Sequence, residues 1–264
     1  MKSQHDTLLS ETKCQFDRDG YAIYRNVLDS ELIAEARRHV EWLMEKNPHL
    51  RPEQFHHPLM RNDPFWARLV SDDRLLDVAQ EFIGPNIALF SSHYICKPPR
   101  DGQAVLWHQD GSYWPLEPME VVTLWLAVDD STSENGCMRV VPGTQHLELQ
   151  PMHANKDVAN VLESQINPAL VDEQAAVDIE LRAGDVSVHH PNVIHGSNAN
   201  TSNRRRCGLT IRYIPTSTRV TSADFFENLY LLRGEPVPGI NEYRPFPKYV
   251  PGKHLAFAGC QNWT

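Results

Sequence analysis

No apolar run in this 264-residue chain approaches the ~20 residues that a membrane-spanning helix needs, and residues 1–15 lack the apolar centre of a secretory signal. The chain therefore reads as soluble and cytoplasmic. Positive charge is scarce as well: 25 Lys and Arg face 34 Asp and Glu, for a formal net charge of -9. A phosphate backbone needs a basic face, and the one basic cluster, Arg204-Arg205-Arg206, is too short to supply it, which argues against nucleic acid as a partner. Cysteine is sparse and scattered. The five (Cys14, Cys96, Cys137, Cys207, Cys260) form no CxxC pair, so neither a zinc knuckle nor a redox dithiol is indicated, and reduced, mostly buried thiols are expected. Internal repeats and low-complexity tracts are absent too. A hydrophobic fraction of 41% is enough for one sizeable core, and the whole of 1–264 is expected to form one domain.

The first elements are helical. A short strand over Tyr21–Arg25 leads to Asp29 or Ser30, either of which can cap a helix, and Leu32, Ile33, Ala36, Val40, Leu43 and Met44 then recur at helical spacing. A second helical stretch, Pro64 to Ile83, stops at Gly84-Pro85, so helices occupy about 29–83. Beyond it the period falls towards two. Ile87–Phe90, Val121–Val128, Cys137–Val141, Val177–Leu181, Val186–His190 and Cys207–Tyr213 suit strands, punctuated by turns such as Glu134-Asn135-Gly136, Pro142-Gly143 and Ala183-Gly184-Asp185. Short strands with frequent Gly and Pro turns predict a mainly β fold with flanking helices, a jelly roll whose core spans about 84–215. Gln150 to Gln174 is polar and is expected to be a long insertion with some helix. The stretch 216–264 carries aromatics and prolines (Phe225, Tyr230, Tyr243, Pro236, Pro245) that forbid a central strand, and it is expected to wrap the barrel as an extended cover.

The chemistry begins at Trp107-His108-Gln109-Asp110-Gly111. His108 and Asp110 are two residues apart, so on extended backbone both side chains leave the same face. His195, in Val193-Ile194-His195-Gly196-Ser197, is the best candidate for a third ligand. Two imidazoles and one carboxylate on one face of a metal leave the opposite positions open, the arrangement of non-haem ferrous oxygenases, and open positions are what a chelating keto acid and dioxygen require. An HxD pair alone is weak, because most such pairs lie on surfaces or in satisfied cores. Its context strengthens it: Arg206 lies on the next strand, where its fork can grip a carboxylate in two hydrogen bonds. His189 and His190 compete for the ligand role, with packing or support of a ligand as their expected part. Tyr113 and Trp114 follow the metal strand and are candidates to line the substrate pocket, against ordinary packing.

His108-Gln109-Asp110, the run Asn135 to His146, and His195-Gly196-Ser197 with Arg206 resemble the phytanoyl-CoA dioxygenase family of Fe(II)- and 2-oxoglutarate-dependent oxygenases. The resemblance takes in Asp19-Gly20-Tyr21, Gly84-Pro85-Asn86 and Lys97-Pro98-Pro99, and so extends from about Phe16 to Tyr213. It implies a double-stranded β-helix, a ferrous ion on His108, Asp110 and His195, and 2-oxoglutarate cleaved to succinate and carbon dioxide with O2 as the other co-substrate. It further implies a keto-acid site at Arg206 and Ser197 with Trp125 beside it, with His93 and Gln109 nearby, and His56 or His57 in place of a basic residue at the entrance. After Tyr213 nothing matches the family pattern.

The leading reading is a dioxygenase that hydroxylates a small organic metabolite. Halogenation needs a small residue where Asp110 stands, and the carboxylate argues against it. A metal-dependent hydrolase also suits two His and one Asp, but leaves Arg206 without a role. A non-catalytic jelly-roll binding module is the alternative of another class, since a fold alone does not specify function.

Overall fold

A computed structural model describes residues 4–264, with side chains from residue 11 onward. Residues 1–3, part of the stretch read above for a targeting signal, lie outside the described residues. None of the described helices is long and apolar enough to cross a membrane.

The first helix, Gln4–Asp19, was not expected: its apolar residues are too few to draw a helical stripe, and among its described side chains Phe16 enters the core. Gly20, in the left-handed region at φ +79, then turns the chain into the strand Tyr21–Tyr24. Helix Ser30–Lys46 starts where the Asp29 carboxylate accepts from the backbone N–H groups of Glu31 and Leu32. It buries Leu32, Ile33, Ala36, Val40 and Leu43, whereas Met44 is exposed and Glu35 and His39 are buried on the flanks of the stripe. The expected helix Pro64 to Ile83 is two helices, Pro64–Val70 and Asp73–Ile83, because Asp72 caps a second start by accepting from Arg74 N.

Two antiparallel sheets make the jelly roll. The larger runs Tyr21–Tyr24, Val186–His189, Val122–Ala127, Arg206–Pro215, Ile87–Lys97 and Tyr230–Arg233 in spatial order, with the two-residue strand Phe55–His56 also paired to Ile87–Lys97. The smaller runs Val177–Ile179, Met138–Val141, Ile194–Ser197 and Val105–His108. Alternation divides the central strand Arg206–Pro215 between two environments. Cys207, Leu209, Ile211 and Tyr213 join the main core with Leu75, Leu76 and Phe65 of the helices, while Arg206, Thr210 and Arg212 line a cavity between the sheets. A shift in register against Ile87–Lys97 after Arg212 ends that pattern, and Ile214 joins a separate aromatic cluster with Phe90 and Phe225.

The insertion contains no α-helix. Its Pro151 and Pro168 and its short polar turns give instead a hairpin, His153–Ala154 with Ser164–Gln165, and a 3-10 turn at Pro168–Leu170. It lies along Val105–His108, with Val161 N donating to Ala104 O and Ile166 N to Trp107 O, and it brings Leu162 to the cavity. The tail adds Tyr230–Arg233 as an edge strand, then runs without further strands over the helices, where Phe257 packs on Phe65 and Ala258 N donates to Glu35. The expectation of wholly reduced thiols is corrected. Cys96 and Cys207 are directly opposed on neighbouring strands and form a disulfide, Cys14 is exposed, and among the free thiols Cys137 is buried.

Candidate active site

The strand Val105–His108 ends at His108, and a 3-10 turn begins at Asp110. Gln109 between them keeps extended backbone (φ -119, ψ 122), so alternation persists and His108 and Asp110 leave the same side. His195 sits directly opposite His108 on the strand Ile194–Ser197, which puts the two rings 4.1 Å apart between centroids. His108, Asp110 and His195 each offer a donor atom, all within 4.8 Å of one another, and all three residues are buried. Nδ1 of His108 lies 2.8 Å from Leu106 O, and Nδ1 of His195 lies 3.0 Å from Val193 O. A carbonyl can only accept, so both Nδ1 atoms carry the proton and both Nε2 lone pairs are bare. Burial, followed by the neighbouring His108 and His189, holds the His195 imidazole well below its usual range, favouring the neutral ligand form. Burial works to raise the Asp110 carboxyl, yet Arg212, followed by the neighbouring histidines, holds it well below the carboxylate range. Bare imidazoles beside an ionised carboxylate fit a divalent ion.

At one end of the cavity stands Arg206, 2% exposed. Its guanidinium lies 5.2 Å from the Trp125 ring centroid and donates to Gly136 O at 2.8 Å, and its Nε has no partner. No carboxylate of the protein pairs with it within 4 Å among the described residues, and burial lowers it to about 10. Gly208 makes the stacking possible, because a Cβ there would lie 2.0 Å from Trp125 Cζ2. Ser197 also lines the cavity, and its hydroxyl accepts from Lys97 Nζ at 2.7 Å. Lys97 is fully buried, with burial and the nearby Arg206 driving its amine well below the usual lysine range.

Near the metal ligands the cavity is closed by His93, His189 and Arg212. His189 Nε2 lies 3.4 Å from Asp110 Oδ2, in a supporting position, whereas His190 turns away and accepts from Asn192 N. Arg212 Nη1 donates to His93 Nδ1 and Thr210 Oγ1, each at 3.0 Å, and its guanidinium lies 5.3 Å from the Trp114 ring centroid.

The structure brings His93, Trp125, Ser197 and Arg206 to the cavity but not Gln109. That side chain leaves the opposite face, donates to Asn192 O at 2.8 Å and accepts from Gln150 N at 2.7 Å, so it ties the insertion down rather than facing a co-substrate. His57 is buried against Trp66 with Nδ1 accepting from Ser92 N, while His56 is exposed and lies beside His93. Tyr113 has its ring near His108 and its hydroxyl 2.7 Å from Ser164 Oγ, and Trp114 packs with Phe90. Neither is part of the cavity wall proper. Arg212 and Lys97 escaped the reading from sequence. For Arg212 a signal existed, since it shares the parity of Arg206.

The family model described as phytanoyl-CoA dioxygenase (PhyH) matches residues 16–208. Among curated proteins, an L-proline trans-4-hydroxylase of Streptomyces griseoviridis is 27% identical over 230 residues, covering 78% of this chain and 86% of its own length. A probable alpha-ketoglutarate-dependent hypophosphite dioxygenase of Stutzerimonas stutzeri is 31% identical over 149 residues, 55% of this chain and 51% of the relative, so the match spans only about half of that protein. Among solved structures, the apo form of the non-heme monooxygenase ThoJ superposes with a TM-score of 0.76 at 23% identity, covering 96% of this chain and 92% of that one, a likeness of fold. With the family model spanning well over half of its length, the chain belongs to the phytanoyl-CoA dioxygenase family of iron- and 2-oxoglutarate-dependent oxygenases.

Proposed function

We propose that the chain works as a single oxygenase domain that hydroxylates a small organic metabolite in the cytoplasm. The enzyme is an Fe(II)- and 2-oxoglutarate-dependent dioxygenase. The observation that carries the reading of the site is the meeting, in one cavity, of the His108, Asp110 and His195 donors with the buried, carboxylate-free guanidinium of Arg206. Ferrous iron held by His108, Asp110 and His195 would supply dioxygen activation, with 2-oxoglutarate as the co-substrate that is converted to succinate and carbon dioxide as the substrate gains one oxygen atom.

The protein's own part is placement. His108 and His195 are held in the Nδ1–H tautomer by their carbonyl partners, which aims both Nε2 lone pairs at one point. Asp110 completes the set and denies that position to a halide. Arg206 takes the far carboxylate of 2-oxoglutarate on its fork, with Trp125 fixing the plane of the guanidinium. Ser197 accepts from Lys97, which leaves its own hydroxyl proton free to donate to that carboxylate. Anaerobic addition of Fe(II) and 2-oxoglutarate, followed by air, tests the reading: succinate should form, and form faster with a suitable small metabolite. A metal hydrolase or a passive binding module on the same fold makes none.

A further inference from the structure

Arg212 is a second buried guanidinium in the same cavity, and the placement of 2-oxoglutarate at Arg206 leaves it without a task. The two arginines leave one face of one strand, six residues apart, or roughly 20 Å along the backbone. Arg212 is 6% exposed. Its nearest carboxylate oxygen among the described residues, Asp110 Oδ2, is 3.9 Å away, too far for a hydrogen bond, and that oxygen already lies 3.4 Å from His189 Nε2. Its Nε has no partner at all. By donating to His93 Nδ1, Arg212 makes that nitrogen an acceptor and so puts the imidazole proton on Nε2, which is also shielded and unpartnered. Two donors are thus left unused beside the metal ligands, and the Trp114 ring lies against the guanidinium.

Charge points the same way. Among the described residues, Asp110 is the one acidic residue on the cavity wall, against Arg206 and Arg212. A divalent ion and a 2-oxoglutarate dianion offset each other, and Asp110 offsets one arginine, so one positive charge is left facing the remaining space. An uncompensated buried guanidinium is costly, and a ligand anion is what removes the cost.

We propose that the substrate is a small molecule bearing one anionic group of carboxylate size, held by the fork of Arg212 and the Nε2–H of His93 at the far end of the cavity from Arg206. The inference rests on the reading of the site as an iron and 2-oxoglutarate centre. It extends that reading to the substrate: the carboxylate is the handle, and the carbon to be hydroxylated lies between it and the metal ligands.

The test is calorimetric and needs no turnover. Protein loaded with redox-inert nickel(II) is first titrated with 2-oxoglutarate. Failure to bind either would remove the premise, and the inference with it, whatever the later titrations show. The nickel and 2-oxoglutarate complex is then titrated at constant ionic strength with propionate and, separately, with propionamide, which has nearly the same shape and no charge. Propionate should bind at one site about thirtyfold or more tightly than the amide, the low end of what an unpaired buried charge costs. Arg212→Gln should bring the two within about threefold of each other and leave the affinity for 2-oxoglutarate nearly unchanged, with Arg212→Lys between. Equal binding of the two probes by the unsubstituted protein, or propionate binding weaker than about 10 mM, overturns the proposal without recourse to any variant. So does an Arg212→Gln protein that loses nickel while still preferring propionate, since Arg212 would then serve only to hold Asp110.

Discussion

Replacing Arg206 by alanine tests how the co-substrate is held. The substitution takes away a guanidinium that lies against Trp125 and donates to Gly136 O, in a site from which water is almost wholly excluded. The far carboxylate of 2-oxoglutarate would then enter a buried pocket with no cation of equivalent reach, at a cost of about 2–5 kcal/mol. That converts to a rise in the apparent KM for 2-oxoglutarate of about thirtyfold to several thousandfold. Arg206→Lys keeps a charge but not the planar fork, and should fall between. Arg205 serves as the control. Its side chain leaves the other face of the strand and is bound to Asp129 at 2.7 and 3.1 Å, so Arg205→Ala should move that KM by less than about threefold. Gly136 O loses its donor in Arg206→Ala, worth about 1 kcal/mol of stability, so Tm is measured alongside to separate binding from folding. Succinate release at saturating substrate, over a 2-oxoglutarate series, gives the KM values. Equal and small effects in Arg206→Ala and Arg205→Ala would refute the assignment, and a large rise in Arg212→Gln instead would move the keto acid to the other end of the cavity.

Further outcomes follow from the same geometry. Metal analysis after anaerobic reconstitution should give one iron per chain, and His195→Ala should abolish its retention while His189→Ala, which removes a ring beside Asp110 Oδ2 and His195 but no metal donor, should retain a weaker site. Gly208→Ala should displace the Trp125 ring, lower stability by about 1–3 kcal/mol and weaken 2-oxoglutarate binding, as calorimetry and thermal melts would show. Lys97→Met should raise the 2-oxoglutarate KM about three- to tenfold, because the Ser197 hydroxyl loses the donor that orients it. Nickel(II) at about 100 times its Kd should stabilise the protein by ~2.7 kcal/mol, read as a higher Tm that a chelator reverses.

What was legible in the sequence depended on short-range periodicity. The alternation of Cys207–Tyr213 and the HxD spacing needed only the two-residue period of extended chain. Applied consistently, it also separates Gln109 from His108 and Asp110, and joins Arg212 to Arg206. For Gln109 the family resemblance points to the opposite face from the one its parity gives. Contacts set by long-range register were not legible. Cys96 and Cys207 are 111 residues apart, and only the pairing of two particular strands opposes them. The break at Ser71-Asp72 was hidden because the apolar stripes of both flanking helices face one core.

The strand Arg206–Pro215 carries two cations, a glycine and a threonine on its inner face, and it therefore behaves as a ruler as well as a wall. The distance along the strand between Arg206 and Arg212 is set by covalent geometry, in steps of about 6.4–6.8 Å for each pair of residues. Gradual repacking around the cavity cannot adjust it. A longer or shorter substrate would require the outer cation to move by a whole step along the strand. The register shift after Arg212 makes that position the last full mark on the scale.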